Sequence, residues 1–361
     1  MPHHAIRLLI ALSATCLSLA APSFTITGMP GMQFAEKLND LGQVVGTGSG
    51  SVAVFSVGTG TTILPLPSFA TVAIGYAINN AGQISGTTNS PTGLSGFFYS
   101  NGVYTNVPSL QTIDFGSLNS QGQAMKAGGT SIYDSGSATV IDIGITGYSL
   151  NDSGLVAGYV TIGGKPVAAT WKQGVTTVLG LPSGATFSYI IDVNNSGIGV
   201  GQGGVTSSAG FFYSNGAFTY LPTVFGGTTY SYVLPRAIND AGQIVGTAYI
   251  KVANNPDLER AFLYDNGQMY DLSSLVPGIP GGQVLTRPRD INAKGQIITE
   301  SNFSGSRLLT PVLSGASIPE PSTNLLVIAG IVLIAILREF HSKRGIIAAL
   351  DPSRNCSQGE Y

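Results

Sequence analysis

One short phrase recurs seven times along this chain and limits what it can fold into. It reads "LNDLGQVVG", "INNAGQISG", "LNSQGQAMKAG", "LNDSGLVAG", "VNNSGIGVG", "INDAGQIVG" and "INAKGQIIT", with its asparagine at Asn39, Asn79, Asn119, Asn151, Asn194, Asn239 and Asn292. Successive asparagines lie 40, 40, 32, 43, 45 and 53 residues apart. A unit of that length is one supersecondary element that cannot bury its apolar side alone and must stack on its neighbours, and its size is that of a propeller blade. Within the phrase, Asn can accept a hydrogen bond from the backbone two residues on. The glycine three positions later can take the left-handed conformation that closes a tight turn, so the phrase predicts strand, turn, strand. A calcium loop would need several carboxylates and a downstream glutamate, which the phrase lacks.

A second phrase fills the space between these hairpins. Its better copies are "SGFFYSNGVYTNVPSL" at 95–110, "AATWKQGVTTVLGLPSG" at 168–184, "AGFFYSNGAFTYLPT" at 209–223 and "RAFLYDNGQMYDLSSL" at 260–275, with poorer ones at 51–67 and 130–144. Each predicts an aromatic strand, a turn and another strand. Asn101-Gly102, Asn215-Gly216 and Asn266-Gly267 supply the turn residues that two-residue hairpins demand. Every unit therefore carries four short strands. Trp171 falls in or beside the slot of Phe98, Phe212 and Leu263, which makes it a core residue. The last unit has only "SRLLTPVL" at 306–313 after its hairpin and lacks a fourth strand, whereas "SFTITGMP" at 23–30 is a strand without a unit. Pairing the two would clasp the ends of the array and remove its free edges. The fold class expected is all-β, a seven-bladed propeller of four-stranded blades over residues 21–314.

The paired phrases resemble the HAF repeat of bacterial extracellular proteins, and "RAFLYDNGQMYDL" is close to its signature, with Arg260 where the eponymous histidine would stand. That resemblance implies a β-propeller and no particular chemistry.

The two ends predict an address. At the N-terminus a single cation, Arg7, precedes the apolar run Leu8 to Leu19, and Ser18 and Ala20 occupy the cleavage positions of a secretory signal spanning residues 1–20 and cut after Ala20. Thr15 before Cys16 argues against lipidation. At the C-terminus "SIPEPSTNLLVIAGIVLIAILREFHSKR" combines Pro319, Glu320 and Pro321 with an apolar stretch and the cations Arg338, Lys343 and Arg344. The uninterrupted run Leu325 to Leu337 would reach only about 20 Å as a helix. Extended over 322–340 it gives about 28 Å, close to the roughly 30 Å of a bilayer core, if Arg338 snorkels to the interface. Basic residues after the span mark the cytoplasmic side, leaving the propeller outside and residues 345–361 as a cytoplasmic tail. This end, residues 315–344, resembles the PEP-CTERM sorting signal of Gram-negative bacteria. The resemblance implies an exosortase-type processing enzyme as partner, transient anchoring in the inner membrane through the C-terminal helix, and association with exopolysaccharide-producing surfaces. The segment "GIIAALDPSRNCSQGEY" after the basic cluster departs from that pattern.

Composition narrows the chemistry. The charged fraction is 9%, against roughly 25% in ordinary soluble proteins, and a net charge of -2 supplies no field for nucleic acid. Cys16 and Cys356 lie outside the repeats, as do His3, His4 and His341. A histidine-based triad or metal site and a cysteine dyad are therefore impossible within the propeller, and no cofactor is expected. Asp240, Asp257, Glu259, Asp265, Asp271 and Asp290 gather towards the end of the repeats with Arg236, Arg260, Arg287 and Arg289. They could line a polar site on one face, or be loop and turn charges that keep a nearly neutral surface soluble. Two function classes follow. One is an exported, non-catalytic surface or matrix protein whose propeller binds a polysaccharide or a surface protein. The other is a secreted carbohydrate-active enzyme using a carboxylate pair.

Overall fold

The second strand of the repeat explains how the units close up. Gly46, Gly86, Gly158, Gly201 and Gly246 each end the recurring phrase, and a β-carbon at any of them would sit 1.9–2.2 Å from a backbone oxygen of the preceding strand. Gly86, Gly201 and Gly246 also make room for the rings of Phe97, Phe211 and Phe262, which the second phrase contributes from the third strand and which are fully buried. The two phrases are thus complementary halves of one blade: glycine on one strand, aromatic ring on the next.

In the computed structural model, residues 21–312 are described apart from 92, 112–115, 280–281 and 303–304. The described chain is all β apart from short single-turn segments, in seven antiparallel four-stranded blades. Their innermost strands are Phe34–Leu38 (blade 1), Val72–Ile78 (blade 2), Gly116–Leu118 (blade 3), Thr139–Leu150 (blade 4), Phe187–Val193 (blade 5), Tyr232–Ile238 (blade 6) and Leu285–Ile291 (blade 7). Thr139–Leu150, 12 residues long, is both the outermost strand of blade 3 and the innermost of blade 4, so these two blades form one continuous seven-stranded sheet. No loop separates them. That accounts for the shortest spacing, the 32 residues from Asn119 to Asn151. A small extra hairpin, Val224–Phe225 with Thr228–Thr229, precedes blade 6.

Turn chemistry follows the sequence. Asn101-Gly102, Asn215-Gly216 and Asn266-Gly267 all have positive φ at both residues, and Gln173-Gly174 does the same work in blade 4. Trp171 is buried, and its register opposite Val156 aligns it with Tyr99, Tyr213 and Tyr264, one place beyond the phenylalanine slot.

The ends meet as the strand count requires. Phe24–Gly28 pairs antiparallel with Arg307–Pro311, running from Phe24 opposite Pro311 to Gly28 opposite Arg307, and supplies the fourth strand of blade 7. Phe24 is buried in the core shared by blades 6 and 7. Across the seam, Ile298 and Leu308 of blade 7 pack with Val44, Ala53 and Phe55 of blade 1. The Ala35 N–H donates to Ser306 Oγ over the same boundary.

At the inner end of each blade the recurring asparagine is buried and ties its blade to the next. Nδ2 of Asn39, Asn79, Asn119, Asn151, Asn194, Asn239 and Asn292 each donates to the backbone carbonyl of the following asparagine, and Asn292 returns to Asn39, at 2.9–3.2 Å. Asn79 shows the full use of one amide. Its second N–H bonds Gln83 Oε1, while Oδ1 accepts from the N–H groups of Ala81 and Gln83, so every donor and lone pair is engaged. The glutamine recurs as Gln43, Gln123, Gln243 and Gln296.

Two outcomes test this architecture. Deleting residues 21–30 should lower the melting temperature substantially, because blade 7 loses its edge strand and Phe24; an unchanged melting curve would show that the clasp is dispensable. Replacing Asn79 by Asp removes the donor that crosses to blade 3 and sets a carboxylate against a carbonyl, which should cost about 1–3 kcal/mol. Ser120→Ala on the same face should stay within roughly 0.5 kcal/mol, and equal melting points for the two variants would contradict the role given to the ring.

Candidate functional site

The recurring asparagines encircle the propeller axis, and the residues just before each one build the central channel. Two positions upstream stand Lys37, Ala77, Ser117, Ser149, Asp192, Ala237 and Asp290. Their polar members reach the next blade's backbone: Asp290 Oδ2 accepts from the Leu38 N–H, Asp192 Oδ2 from the Ile238 N–H, and Ser117 Oγ from the Leu150 N–H. Lys37 Nζ lies 3.0 Å from Asp290 Oδ1, and Ser149 Oγ donates to Asp192 Oδ1 at 2.6 Å.

These groups form a waist between two cavities. The narrower, about 190 Å³, opens on the asparagine side, where Asp40, Asn80, Ser120, Asp152, Asn195 and Asp240 form an exposed second hydrogen-bonded tier. The wider, about 620 Å³, lies on the other side of the waist and shares Lys37, Ser117, Ser149 and Asp192 with the first. Its volume lies in the range of small-ligand sites.

What lines the wide mouth is decided by β-bulges. Register shifts interrupt the inner strands of blades 1, 2, 4, 5, 6 and 7 just before the channel position, and a bulge re-aims the side chain at its extra residue. The residue three before the asparagine is Glu36, Tyr76, Gly116, Tyr148, Ile191, Arg236 or Arg289, so this position breaks the repeat in every blade. Five of the seven line the wide cavity: Gly116, Tyr148, Ile191, Arg236 and Arg289. Blade 7 carries the largest bulge, with residues 287–289 inserted between the pairs Thr286–Glu300 and Asp290–Ile298. Thr299 stands there in place of the close-packed glycine, its Oγ1 donating to the Thr286 carbonyl.

The mouth is polarised. Tyrosines occupy blades 4 to 6: Tyr148 lies 5.8 Å from Tyr189 and 6.0 Å from Tyr159, and Tyr249 stacks on Tyr232 at 4.6 Å. Arginines occupy blades 6 and 7. Arg289 binds Glu300 at 2.7 Å and Glu36 at 3.4 Å, and Arg287 makes a two-pronged pair with Glu259 at 2.7 and 3.0 Å.

The acidic cluster seen in the sequence does not converge. Asp240 belongs to the asparagine-side tier, Asp257 accepts from the Tyr232 hydroxyl, Asp265 from Asn266, and Asp271 caps the short helix Leu272–Leu275. Arg260 donates to the Glu259 carbonyl oxygen. Asp290 corrects the reading of these residues as loop and turn charges. It is buried in the channel waist, because its place two before Asn292 turns it inward. Asp192 and Lys37, its companions there, went unnoticed in the sequence; their common offset from the asparagine was the signal. Ala20, Pro319, Glu320, Pro321, Arg338, Lys343 and Arg344, with the span 322–340, lie outside the described residues. Among the described residues no helix is long and apolar enough to cross a membrane.

No protein-family model matches the chain, and no curated protein matches it. Solved structures do. The β-propeller domain of the trilobed protease from Pyrococcus furiosus, described as having an open velcro topology, is similar with a TM-score of 0.50 at 10% identity, over 80% of this chain and 95% of that one. Virginiamycin B lyase from Staphylococcus aureus gives 0.49 at 12% identity, over 81% of this chain and all (100%) of that one. At such identities the likeness speaks for the propeller fold alone.

Three ionisable groups of the propeller, Lys37 in the waist, Tyr232 beside the mouth and Tyr104 on the outer strand of blade 2, fix an alkaline limit. Burial and the neighbouring Tyr99 push Tyr104 up to about 12. Burial and the hydrogen bond to Asp257 push Tyr232 up to about 12 as well. Burial works against the Lys37 charge, but Asp290 and Asp192 outweigh it and hold the ammonium above the ordinary lysine range. All three groups bind their protons more tightly folded than unfolded. Their stabilisation is therefore complete below about pH 10 and is lost as pH rises towards and past 12. A tyrosinate absorbance titration should show a late fraction near pH 12 that shrinks in the double variant Tyr104→Phe/Tyr232→Phe; a single transition near pH 10 in the native protein would refute the assignment.

Proposed function

We propose that this chain is an exported, non-catalytic protein of the outer surface or extracellular matrix, and that its propeller holds a matrix component, with exopolysaccharide as the ligand class, at the wide mouth of the channel. One observation carries the reading. The repeat keeps its asparagines, and in most blades its glutamine and close-packed glycine, for construction, while the residue three before the asparagine varies and in five of the seven blades lines the 620 Å³ cavity. Variation at a fixed structural position is how a repeated scaffold makes one face specific.

The chemistry of the mouth supports a saccharide. Half-buried tyrosine faces can stack on the apolar faces of pyranose rings, and hydroxyl, amide and guanidinium groups can exchange hydrogen bonds with sugar hydroxyls without stranding a buried charge. The non-catalytic reading is supported by the state of the carboxylates around the mouth: Asp192, Asp290, Glu36, Glu259 and Glu300 are each bonded to a lysine, an arginine, a serine or a backbone N–H. The sorting part of the proposal rests on the ends: cleavage after Ala20, transient anchoring through 322–340, and processing near Pro319 to Pro321 by an exosortase-type enzyme.

A glycan array probed beside a hydrolysis screen tests the reading on the mature protein. Retention of one or more polysaccharides without release of reducing ends is expected. Turnover that disappears in Asp192→Asn with the fold intact would replace binding by catalysis.

A further inference from the structure

The wide mouth joins an aromatic strip to an arginine cluster, and Arg287 stands out within that cluster. Its φ is +45°, in the left-handed region that a bulky L-residue avoids. The conformation cannot be relaxed easily, because the next residue is Pro288, whose ring restricts the backbone before it. Among the described residues the other positive-φ positions are glycine, asparagine, serine, alanine and glutamine. An arginine held there is a strained choice where glycine would be relaxed, and strain of this kind persists where a side chain is wanted in that place.

The strained backbone lies inside the blade 7 bulge and sets Arg287 on the rim of the cavity, where its side chain is 60% exposed. Glu259 occupies Nε and Nη2 on one edge of the guanidinium. A guanidinium has five N–H donors; the Glu259 pair engages two of them, and Arg287 lines the wide cavity. The cavity wall carries Lys37, Arg236, Arg287 and Arg289 beside the carboxylate Asp192, and behind it Asp290, Glu259, Glu36 and Glu300 pair with Lys37, Arg287 and Arg289. Across the opening, the tyrosine strip runs past the cavity edge: Tyr159 and Phe187 flank Tyr148 and Tyr189 with centroids 6.0 and 6.4 Å away.

We infer that the ligand is an acidic polysaccharide of the hexuronate kind, whose ring faces lie on Tyr148, Tyr189 and Tyr249 while a carboxylate pairs with the outer edge of Arg287. This specifies the ligand of the proposed function and rests on it. A neutral glycan would use the tyrosines but not the N–H groups that the Glu259 pair leaves on the strained arginine. A small aromatic acid would fill the cavity but not the strip beyond it. Carboxylate and guanidinium match in geometry, two parallel N–H···O bonds, which a lysine at the same place cannot reproduce.

Binding of a polyuronate and of the same polymer with its carboxyls reduced to alcohols, measured by calorimetry, separates the possibilities. The native protein should prefer the polyuronate. Arg287→Gly should weaken that binding by about tenfold or more while its melting temperature stays level or rises, since glycine relieves the backbone. Arg287→Gly/Glu259→Gln controls for the uncovered carboxylate and should remain weak, and Arg287→Lys should recover only part of the affinity. Ser120→Ala, on the asparagine side of the ring and outside the wide cavity, should bind both polymers as the native protein does. Equal affinity for both polymers, or Arg287→Gly binding as tightly as the native protein, overturns the inference and leaves the saccharide reading standing. Failure of the native protein to bind either polymer overturns both.

Discussion

The cross-blade hydrogen bond from each asparagine to the next asparagine's carbonyl is the interaction on which the rest of this structure depends. It is buried, so leaving its acceptor unpaired would cost more than the bond's net worth of about 1 kcal/mol suggests. It also needs both blades at the right angle and distance, which converts seven local hairpins into one ring. The same side chain's Oδ1 closes the turn within its own blade, as in Asn39 with the N–H groups of Leu41 and Gln43. Turn formation and blade docking therefore require one residue in one rotamer. No other side chain offers two donors and a double acceptor on so short a stem. Aspartate lacks the donor, and glutamine is a methylene too long.

Ring closure changes how the stability of such a repeat is distributed. In an open array each unit leans on its neighbours and the two terminal units are exposed, which is why they are usually capped. Here the last blade borrows its fourth strand from the N-terminus and packs Ile298 and Leu308 against the first, so every blade has two neighbours. The Lys37–Asp290 pair and the Arg289–Glu36 pair lie across that same junction. Charge is scarce in this chain, yet two of its ion pairs are concentrated at the one seam where covalent continuity is missing. A third pair, Arg287–Glu259, joins blades 6 and 7, and the remaining junctions are held by apolar and aromatic contacts, the asparagine bonds and the hydrogen bonds of Asp192 to blades 4 and 6.

Much of this was legible in the sequence, and the part that was not has a common cause. The period gave the blade count because a repeated Asn-x-x-Gly is a statement about local backbone, which sequence encodes directly through Asx turns and left-handed glycines. The clasp was legible by counting strands. The sequence leaves Asp290 open between a polar site and a loop charge because its burial depends on an inward turn set by a bulge, and bulges are produced by how two strands meet rather than by the residue itself. Arg287 was named only as one charge among several for the same reason: nothing in "LTRPRDIN" announces a left-handed arginine. The fused strand Thr139–Leu150 was likewise hidden, although the short spacing to Asn151 held its trace.

The division between constant and variable positions gives the fold its functional logic. Positions that meet a neighbouring strand or blade are constrained by it, so the asparagine recurs for the next blade, and the close-packed glycine and third-strand phenylalanine recur for each other within one blade. The bulge residue lines the open mouth in five of the seven blades, with fewer packing partners than the positions beneath it. Because the bulge inserts an extra residue, changing that side chain does not shift the register of the strand around it. Each blade can therefore present Tyr148, Ile191, Arg236 or Arg289 without disturbing the ring beneath. Blade 7 goes one step further, trading its glycine for Thr299 and widening the bulge to three residues, and the arginine so displayed is held in the left-handed region while its guanidinium pairs with Glu259 of blade 6.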